Sequence, residues 1–210
     1  MQFRFRPVST PVFRSISITG LTSAAVCAVV LAGTMLAPPV AAQRYTDPDT
    51  LAPAYPSPQT VVERMLALAQ VKPGEVVYDL GCGDGRIVIT AAMKYSARAV
   101  GVEIRRDIYE STLARVASLG LADKVRIVHG DALKTDLTSA DVVTLYLLTS
   151  SNERLRPVLE AQLKPGARVV SHDFEIRGWK PAQTEKLLVE GRPHMIYAYV
   201  MGTNPAPKRK

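Results

Sequence analysis

Apolar residues recur along the central part of the chain in two alternating patterns. Short apolar runs of four or five residues are typical of buried strands, and they alternate with longer stretches of helical spacing. The predicted strands are residues 76–79, 99–103, 125–129, 142–146 and 168–172, and the predicted helices are 59–69, 86–95, 107–119 and 153–163. Because strands alternating with helices form right-handed βαβ units, this order predicts an α/β fold with a mainly parallel sheet flanked by helices.

Two further apolar-alternating runs, 184–190 and 194–201, lie close together near the C-terminus. They predict an antiparallel hairpin at the edge of the sheet. A chain of 210 residues then fits one domain, from 59 to 202, followed by a basic tail at 203–210.

The N-terminal segment has the layout of a targeting sequence. Three arginines precede a largely apolar stretch, residues 16–36, and small residues at 40–42 suit cleavage before Gln43. Residues 1–42 are therefore predicted to be a signal peptide, and the domain to be exported to a periplasmic or extracellular location. The apolar stretch is also long enough to span a bilayer, so a retained membrane anchor stays open.

Composition excludes several other classes of protein. The formal charge is +7, but residues 43–210 hold only 23 basic against 19 acidic side chains. With 6% aromatic residues and no basic-aromatic stripe, no nucleic-acid partner is expected. The histidines at 129, 172 and 194 are scattered along the chain without paired ligand spacing, so no metal site is predicted.

A glycine-rich loop follows the first predicted strand, and it is the feature most indicative of function. The run Asp79-Leu80-Gly81-Cys82-Gly83-Asp84-Gly85 ends a strand and opens a helix, as in nucleotide-binding α/β proteins. Glu103 ends the second strand about twenty residues later, where a carboxylate accepts hydrogen bonds from ribose hydroxyls. The glycine spacing differs from the dinucleotide fingerprint, which disfavours NAD.

The glycine loop, Glu103 and Asp131, which follows the third predicted strand, together resemble class I S-adenosylmethionine-dependent methyltransferases, and six segments carry a narrower resemblance. The narrower resemblance is to the family of the ATP synthase c-subunit lysine methyltransferase and its bacterial relatives, over roughly residues 53–180. The segments are PAYPSPQTVVERML, VVYDLGCGDGRIVITAA, ARAVGVEI, DALKTDL, VVTLYLL and LKPGARVVSHDF. The resemblance implies a Rossmann-like fold, S-adenosylmethionine as cofactor and a protein substrate with a target lysine.

The same resemblance assigns cofactor contacts residue by residue. Loop residues Gly81, Cys82, Gly83, Asp84 and Gly85 would hold the amino acid end of the cofactor, with Asp79 nearby. Glu103 would bind the ribose. Asp131 and Ala132 would border the adenine, although Asp131 also suits a helix N-cap, and Asp84 also suits a turn-stabilising role.

Candidate catalytic residues lie at the ends of the fourth and fifth strands. Tyr146 is predicted to form an aromatic wall beside the reaction centre, with a core tyrosine as the alternative. His172 and Asp173 are predicted to act in proton removal or substrate orientation, with a hydrogen-bonded structural pair as the alternative. Asn152 and Glu153 are predicted at the mouth of the site, and the Pro-rich segment 43–58 is either a lid or a linker.

Two alternative functions remain open at this stage. One is a small-molecule N- or O-methyltransferase on the same scaffold. The other is a non-catalytic exported binding protein that retains the fold, because export removes a domain from the compartment where S-adenosylmethionine is made.

Overall fold

The computed structural model describes residues 51–52 and 55–202 of the chain. The predicted targeting segment 1–42, the start of the Pro-rich segment and the basic tail lie outside the described residues. Among the residues described, no helix combines the length and apolarity that a membrane crossing requires.

Four helices and seven strands alternate along the described chain, nearly as the apolar pattern predicts. The helices are α1 (Gln59–Leu68), α2 (Arg86–Tyr95), α3 (Arg106–Ser118) and α4 (Thr149–Gln162). The strands are β1 (Val76–Leu80), β2 (Arg98–Glu103), β3 (Val125–His129), β4 (Val142–Leu145), β5 (Arg168–His172), β6 (Gln183–Val189) and β7 (Arg192–Val200). The largest shift is at α4, which begins four residues before its predicted start.

The strands form one seven-stranded sheet in the order β3-β2-β1-β4-β5-β7-β6. Strands β1 to β5 pair in parallel, whereas β7 runs antiparallel to both β5 and β6. This confirms the mainly parallel sheet and the antiparallel hairpin at its edge. From β1 the chain first adds β2 and β3 on one side and then adds β4 and β5 on the other, so the order of strands switches between β1 and β4. Open α/β sheets bind their ligands at such a switch point.

Apolar side chains cover both faces of the sheet in two separate cores. One core joins α1, α2 and α3 to the sheet through buried residues such as Val61, Ile87 and Val116. The other packs α4 against the opposite face through Leu155 and Leu159. With both faces covered, the exposed carboxyl ends of the parallel strands are left to form a site.

Candidate functional site

A cavity of about 360 Å³ opens at the carboxyl ends of β1, β2 and β4. Four acidic side chains and an apolar wall line it, and the sequence-predicted cofactor residues Asp79, Gly81, Cys82, Gly83, Asp84, Glu103, Asp131 and Ala132 are all in that lining. Gly85, the last residue of the glycine loop, is not part of that lining and directly precedes α2. The structure therefore gathers the predicted cofactor residues at one place.

The glycine loop bends towards the cavity at Gly83. This residue has φ +52°, and a Cβ added there would meet no atom within 4 Å, so the backbone faces open space. Its N–H donates to Glu103 Oε2 at 3.0 Å. The loop thus presents bare backbone to a ligand while a carboxylate from β2 fixes its position.

Glu103 is buried at the end of β2, and both of its carboxylate oxygens are engaged. Oε2 accepts from the N–H of Gly83, and Oε1 accepts from the N–H of Arg105 at 2.9 Å. Each carboxylate oxygen has two lone-pair directions, so both retain capacity to accept from ligand hydroxyls. Glu103 is consequently held in one orientation before a ligand arrives.

Asp79 is buried within β1 and points into the floor of the cavity. Burial raises the pKa of this carboxyl to about 7, although Thr144 Oγ1 donates to its Oδ1 at 2.7 Å; the neighbouring charges of Glu103 and Asp84 add to the rise. Asp79 therefore changes charge close to neutral pH. In its ionised form it attracts a cationic ligand group.

Replacing Asp79 by asparagine is expected to stabilise the fold and weaken cofactor binding. From pH 3.8 to about 7 the unfolded chain ionises Asp79 while the native state keeps it protonated, so the free energy of unfolding falls as pH rises. Asp79→Asn removes that loss, and its gain in Tm should grow from pH 4 to pH 8. The affinity for S-adenosylmethionine at pH 8 should fall by about tenfold, as expected for one lost charge interaction of about 1.4 kcal/mol.

Thermal unfolding across that pH range and calorimetric titration at pH 8 test this expectation. Asp123→Asn, a change at an exposed aspartate, is the matched control. An Asp79→Asn protein with the pH dependence of the wild type would show that Asp79 is not the buried titrating group.

Asp84 is held mainly by two arginines. Arg86 donates to both of its oxygens, and Arg115 lies 3.1 Å from Oδ2. Partial burial opposes ionisation, but these guanidinium groups hold the pKa of Asp84 below its usual value. The carboxylate also accepts from the N–H of Arg86 at 3.2 Å, so it stabilises the start of α2. The turn-stabilising role is therefore confirmed, and contact with cofactor stays a prediction.

Asp131 and Ala132 border the opposite side of the cavity, beyond β3. Asp131 Oδ1 accepts from the N–H of Leu133 at 2.9 Å and caps the short 3₁₀ helix Ala132–Lys134. The N-cap alternative is thus confirmed, while the adenine contact stays a prediction. Ala132 contributes a small apolar surface to the wall.

The Cys82 side chain lies buried beneath the loop. Burial in apolar surroundings, with the nearby charges of Asp79 and Glu103, raises the pKa of its thiol. Its thiol consequently stays protonated and is no nucleophile at neutral pH.

The described parts of the Pro-rich segment lie along the cavity rather than away from it. Leu51, Ala52 and residues 55–57 contribute to the lining. Arg86 Nη1 donates to the carbonyl of Ser57 at 2.7 Å, and the Ser151 hydroxyl donates to the carbonyl of Leu51. These bonds fix the segment over the site, which favours the lid interpretation over the linker.

Tyr146 follows β4 and lines the cavity, half-buried. Its ring lies 3.9 Å from that of His172, centroid to centroid, and its phenol oxygen lies 3.5 Å from Asp173 Oδ2. Burial first, and then the charge of Asp173, raises the pKa of the phenol. The phenol therefore keeps its proton near neutral pH and offers an aromatic surface rather than a base.

Two of the histidines that are scattered along the sequence, His172 and His194, are adjacent in space, which their spacing in the sequence did not predict; the absence of a metal site stays a prediction. His172 Nε2 lies 2.9 Å from His194 Nδ1, and His194 Nδ1 lies 3.2 Å from Asp173 Oδ2. Asp173 is fixed in a left-handed conformation, φ +58°, with the N–H of Met195 donating to its Oδ1 at 2.8 Å. His172 and Asp173 thus belong to a three-residue cluster, which Ser57 extends to the cavity wall.

Asn152 is not at the mouth of the site, contrary to the sequence-based expectation. It is fully buried because α4 begins at Thr149 and places it inside the helix. Its amide donates to the Phe174 carbonyl at 3.1 Å and therefore supports the turn after β5.

Three residues near the site went unrecognised in the sequence, namely Ser57, Arg86 and His194. Ser57 and Arg86 meet only when the Pro-rich segment folds back on α2, a contact that no local pattern encodes. His194 reaches His172 through the β5–β7 pairing, in which His172 stands opposite Ile196. A histidine at the start of the apolar run of β7 was the one available indication.

The cavity fits S-adenosylmethionine in charge and shape. Its acidic side chains suit a ligand with a sulfonium and an ammonium group. The bare backbone at Gly83 suits a close approach, and Glu103 suits a ribose. Apolar lining residues such as Ile104 and Leu147 suit a flat base. The fold and this site together define a class I methyltransferase.

Comparison with known proteins gives the family. Residues 79–183 match the ANTKMT methyltransferase domain. Over 151 residues the chain is 48% identical to a protein-lysine N-methyltransferase of Saccharolobus islandicus, covering 71% of this chain and 94% of that protein. The chain belongs to this methyltransferase family, and the S-adenosylmethionine-dependent class expected from the sequence is confirmed.

Two further relatives agree with this assignment. The ATP synthase c-subunit lysine N-methyltransferase of Rattus norvegicus is 30% identical to this chain over 132 residues. The match covers 63% of this chain and 60% of the rat protein. A solved structure of an RNA methyltransferase from Salinibacter ruber, in complex with S-adenosyl-L-homocysteine, is 45% identical with a TM-score of 0.69. The structural match covers 73% of this chain and 97% of the Salinibacter ruber chain.

Proposed function

We propose that this protein transfers a methyl group from S-adenosylmethionine to the side-chain amine of a lysine in a protein substrate. The observation that supports this most strongly is the 48% identity to a protein-lysine N-methyltransferase across nearly all of that protein. The acidic cavity agrees with it, because both the cofactor and the incoming lysine are cations.

The residues around Tyr146 supply what such a transfer needs. S-adenosylmethionine, when bound, supplies an electrophilic methyl group. The Tyr146 ring provides a surface that favours cationic groups, because aromatic faces attract ammonium ions. Pro56 and Ser57 of the Pro-rich segment line the cavity, where they would limit the access of water to the reaction. His172 and Asp173 stand behind this wall, in position to orient the amine or to take up its proton.

RNA is a second candidate acceptor, since the Salinibacter ruber protein is named an RNA methyltransferase. The charge of the chain disfavours it. Residues 43–210 hold only 23 basic against 19 acidic side chains and no basic-aromatic stripe, so no surface for a phosphate backbone is expected.

Isotope labelling decides between these acceptors. The full chain is incubated with methyl-labelled S-adenosylmethionine and a heat-treated bacterial extract, and the label is then traced in hydrolysed protein, RNA and small-molecule fractions. We expect label in methyl-lysine. Label confined to nucleosides or small molecules would refute the lysine proposal, and no transfer by a folded, cofactor-binding protein would favour a non-catalytic role.

A further inference from the structure

A chain of hydrogen bonds leads from the cavity wall through the protein interior. Ser57 Oγ lies in the wall and 2.8 Å from His172 Nδ1. On the other side of that ring, His172 Nε2 lies 2.9 Å from His194 Nδ1. His172 is fully buried, whereas the side chain of His194 is 12% exposed. The chain therefore connects the cavity to a ring that reaches solvent.

The hydrogen bonds of this chain are compatible with two arrangements of protons, and proton transfer away from the cavity requires one of them. In that arrangement the Ser57 hydroxyl donates to His172 Nδ1, and His172 carries its proton on Nε2. That N–H donates to His194 Nδ1, and His194 carries its proton on its own Nε2. Asp173 Oδ2 lies 3.3 Å from His172 Nε2 and 3.2 Å from His194 Nδ1, so it faces both rings.

A bound metal ion is the competing explanation for this cluster, because the three ligand atoms lie within 4.8 Å of one another. Two ligands of a tetrahedral zinc ion with bonds of about 2.0–2.1 Å are separated by about 3.3 Å. The separation of 2.9 Å between the two ring nitrogens is shorter and has the length of a hydrogen bond. The separations of 3.3 and 3.2 Å to Asp173 Oδ2 would suit either a zinc ion or hydrogen bonds, so the short distance between the two rings is what favours a proton there.

We propose that Ser57, His172 and His194 form a relay that removes the proton from the incoming lysine ammonium, with Asp173 compensating the charge. This inference rests on the proposed lysine methylation. It assigns to Ser57 the contact with substrate, and to His172, His194 and Asp173 a role exerted through Ser57.

The transfer balances in protons and charge. The lysine ammonium gives one proton to Ser57 Oγ as the Ser57 proton passes to His172 Nδ1. The proton on His172 Nε2 passes to His194 Nδ1, which becomes an imidazolium beside the Asp173 carboxylate. The amine gains a free lone pair and takes up the methyl group while the extra proton stays on His194, which afterwards returns it to solvent.

Because of its surroundings, His172 carries the extra proton only transiently. Burial lowers the pKa of His172 to about 4; the carboxylate of Asp173 acts in the opposite direction, and the ring of His194 adds to the lowering. Among the described residues, the Tyr146 phenol also faces the His172 ring, and its raised pKa keeps it neutral. A proton entering His172 is thus passed on to the more exposed His194.

The pH dependence of methylation tests this relay. Below a pKa of about 10.4, the neutral fraction of lysine grows tenfold with each pH unit. The wild type, which accepts the ammonium form, should methylate lysine at a nearly constant rate between pH 7 and pH 9. Ser57→Ala and His194→Gln should be about 100-fold slower at pH 7 and gain about tenfold per pH unit, because only neutral amine then reacts.

Matched variants separate this effect from a loss of structure. Ser57→Thr keeps the hydroxyl and should restore the flat profile, and His129→Gln removes an imidazole outside the cluster and should leave the profile unchanged. Rates are measured as methyl-lysine formed from the heat-treated extract, beside calorimetric affinities for S-adenosylhomocysteine, which should not change. Parallel profiles for wild type and variants would refute the relay alone. Absence of methyl-lysine with the wild type would refute the proposed function.

Imidazole nitrogen NMR of the cofactor-free full chain gives a second readout independent of activity. We expect His172 as the Nε2–H tautomer at neutral pH and a changed Nδ1 resonance in Ser57→Ala. A proton on Nδ1 would block acceptance from Ser57 and overturn the relay. One equivalent of transition metal retained by the wild type and lost in His194→Gln would overturn it in favour of a metal site.

Discussion

Replacing Glu103 by alanine is expected to weaken binding of S-adenosylmethionine by about 100-fold. Hydrogen bonds to a charged group contribute about 1.5–3 kcal/mol each, and a ribose offers two hydroxyls to this carboxylate. The variant also frees the N–H groups of Gly83 and Arg105, which Glu103 now binds. The loop thereby loses the contact that holds it open to the ligand.

Calorimetric titration of the full chain with S-adenosylmethionine and S-adenosylhomocysteine measures this loss. Glu103→Gln keeps the size of the side chain and should lose at least tenfold, which guards against a folding defect in the alanine variant. Glu110→Ala removes an exposed carboxylate from α3 and should bind like the wild type. Equal affinities for all four proteins would remove Glu103 from the cofactor site.

The grouping of the residues predicted to bind cofactor could be read from the sequence because these residues lie at strand ends. In a parallel sheet the residues after β1, β2 and β3 meet at the same edge, so order along the chain becomes proximity in space. Gly81, Glu103 and Asp131 could therefore be grouped without coordinates. The spacing between the glycine loop and the Glu103 carboxylate then indicated that the ligand contains a nucleoside.

The cluster that we propose to act on the methyl acceptor was harder to predict, because it depends on contacts between distant segments. His172 and His194 meet through an antiparallel register, and the left-handed turn at Asp173 aims its carboxylate back at both rings. Ser57 reaches them only because the Pro-rich segment folds across the cavity. Apolar periodicity specifies which face of a strand is buried, but not which polar groups will share that interior.

Replacing Gly101 by alanine is expected to lower the free energy of unfolding by about 3 kcal/mol, as overpacking of a filled core does. Gly101 is the fourth residue of β2, between β1 and β3. An added Cβ would lie 2.7 Å from Cys82 Sγ and 3.1 Å from Ile127 Cδ1, and both neighbours are buried. Because Cys82 belongs to the cofactor loop, relief of this clash should also displace the loop and reduce cofactor affinity.

Thermal and denaturant unfolding measure this prediction, with a fall in Tm of about 10 °C expected for a domain of this size. Gly130→Ala is the matched control, since a Cβ there would meet its nearest atom at 3.8 Å. Combining Gly101→Ala with Cys82→Gly should cost less stability than the sum of the two single changes, because the second removes the atoms that the first strikes. If the two losses of stability were additive, the strain in Gly101→Ala would not come from contact with Cys82. Packing of β2 against the glycine loop would then not couple the stability of β2 to cofactor binding.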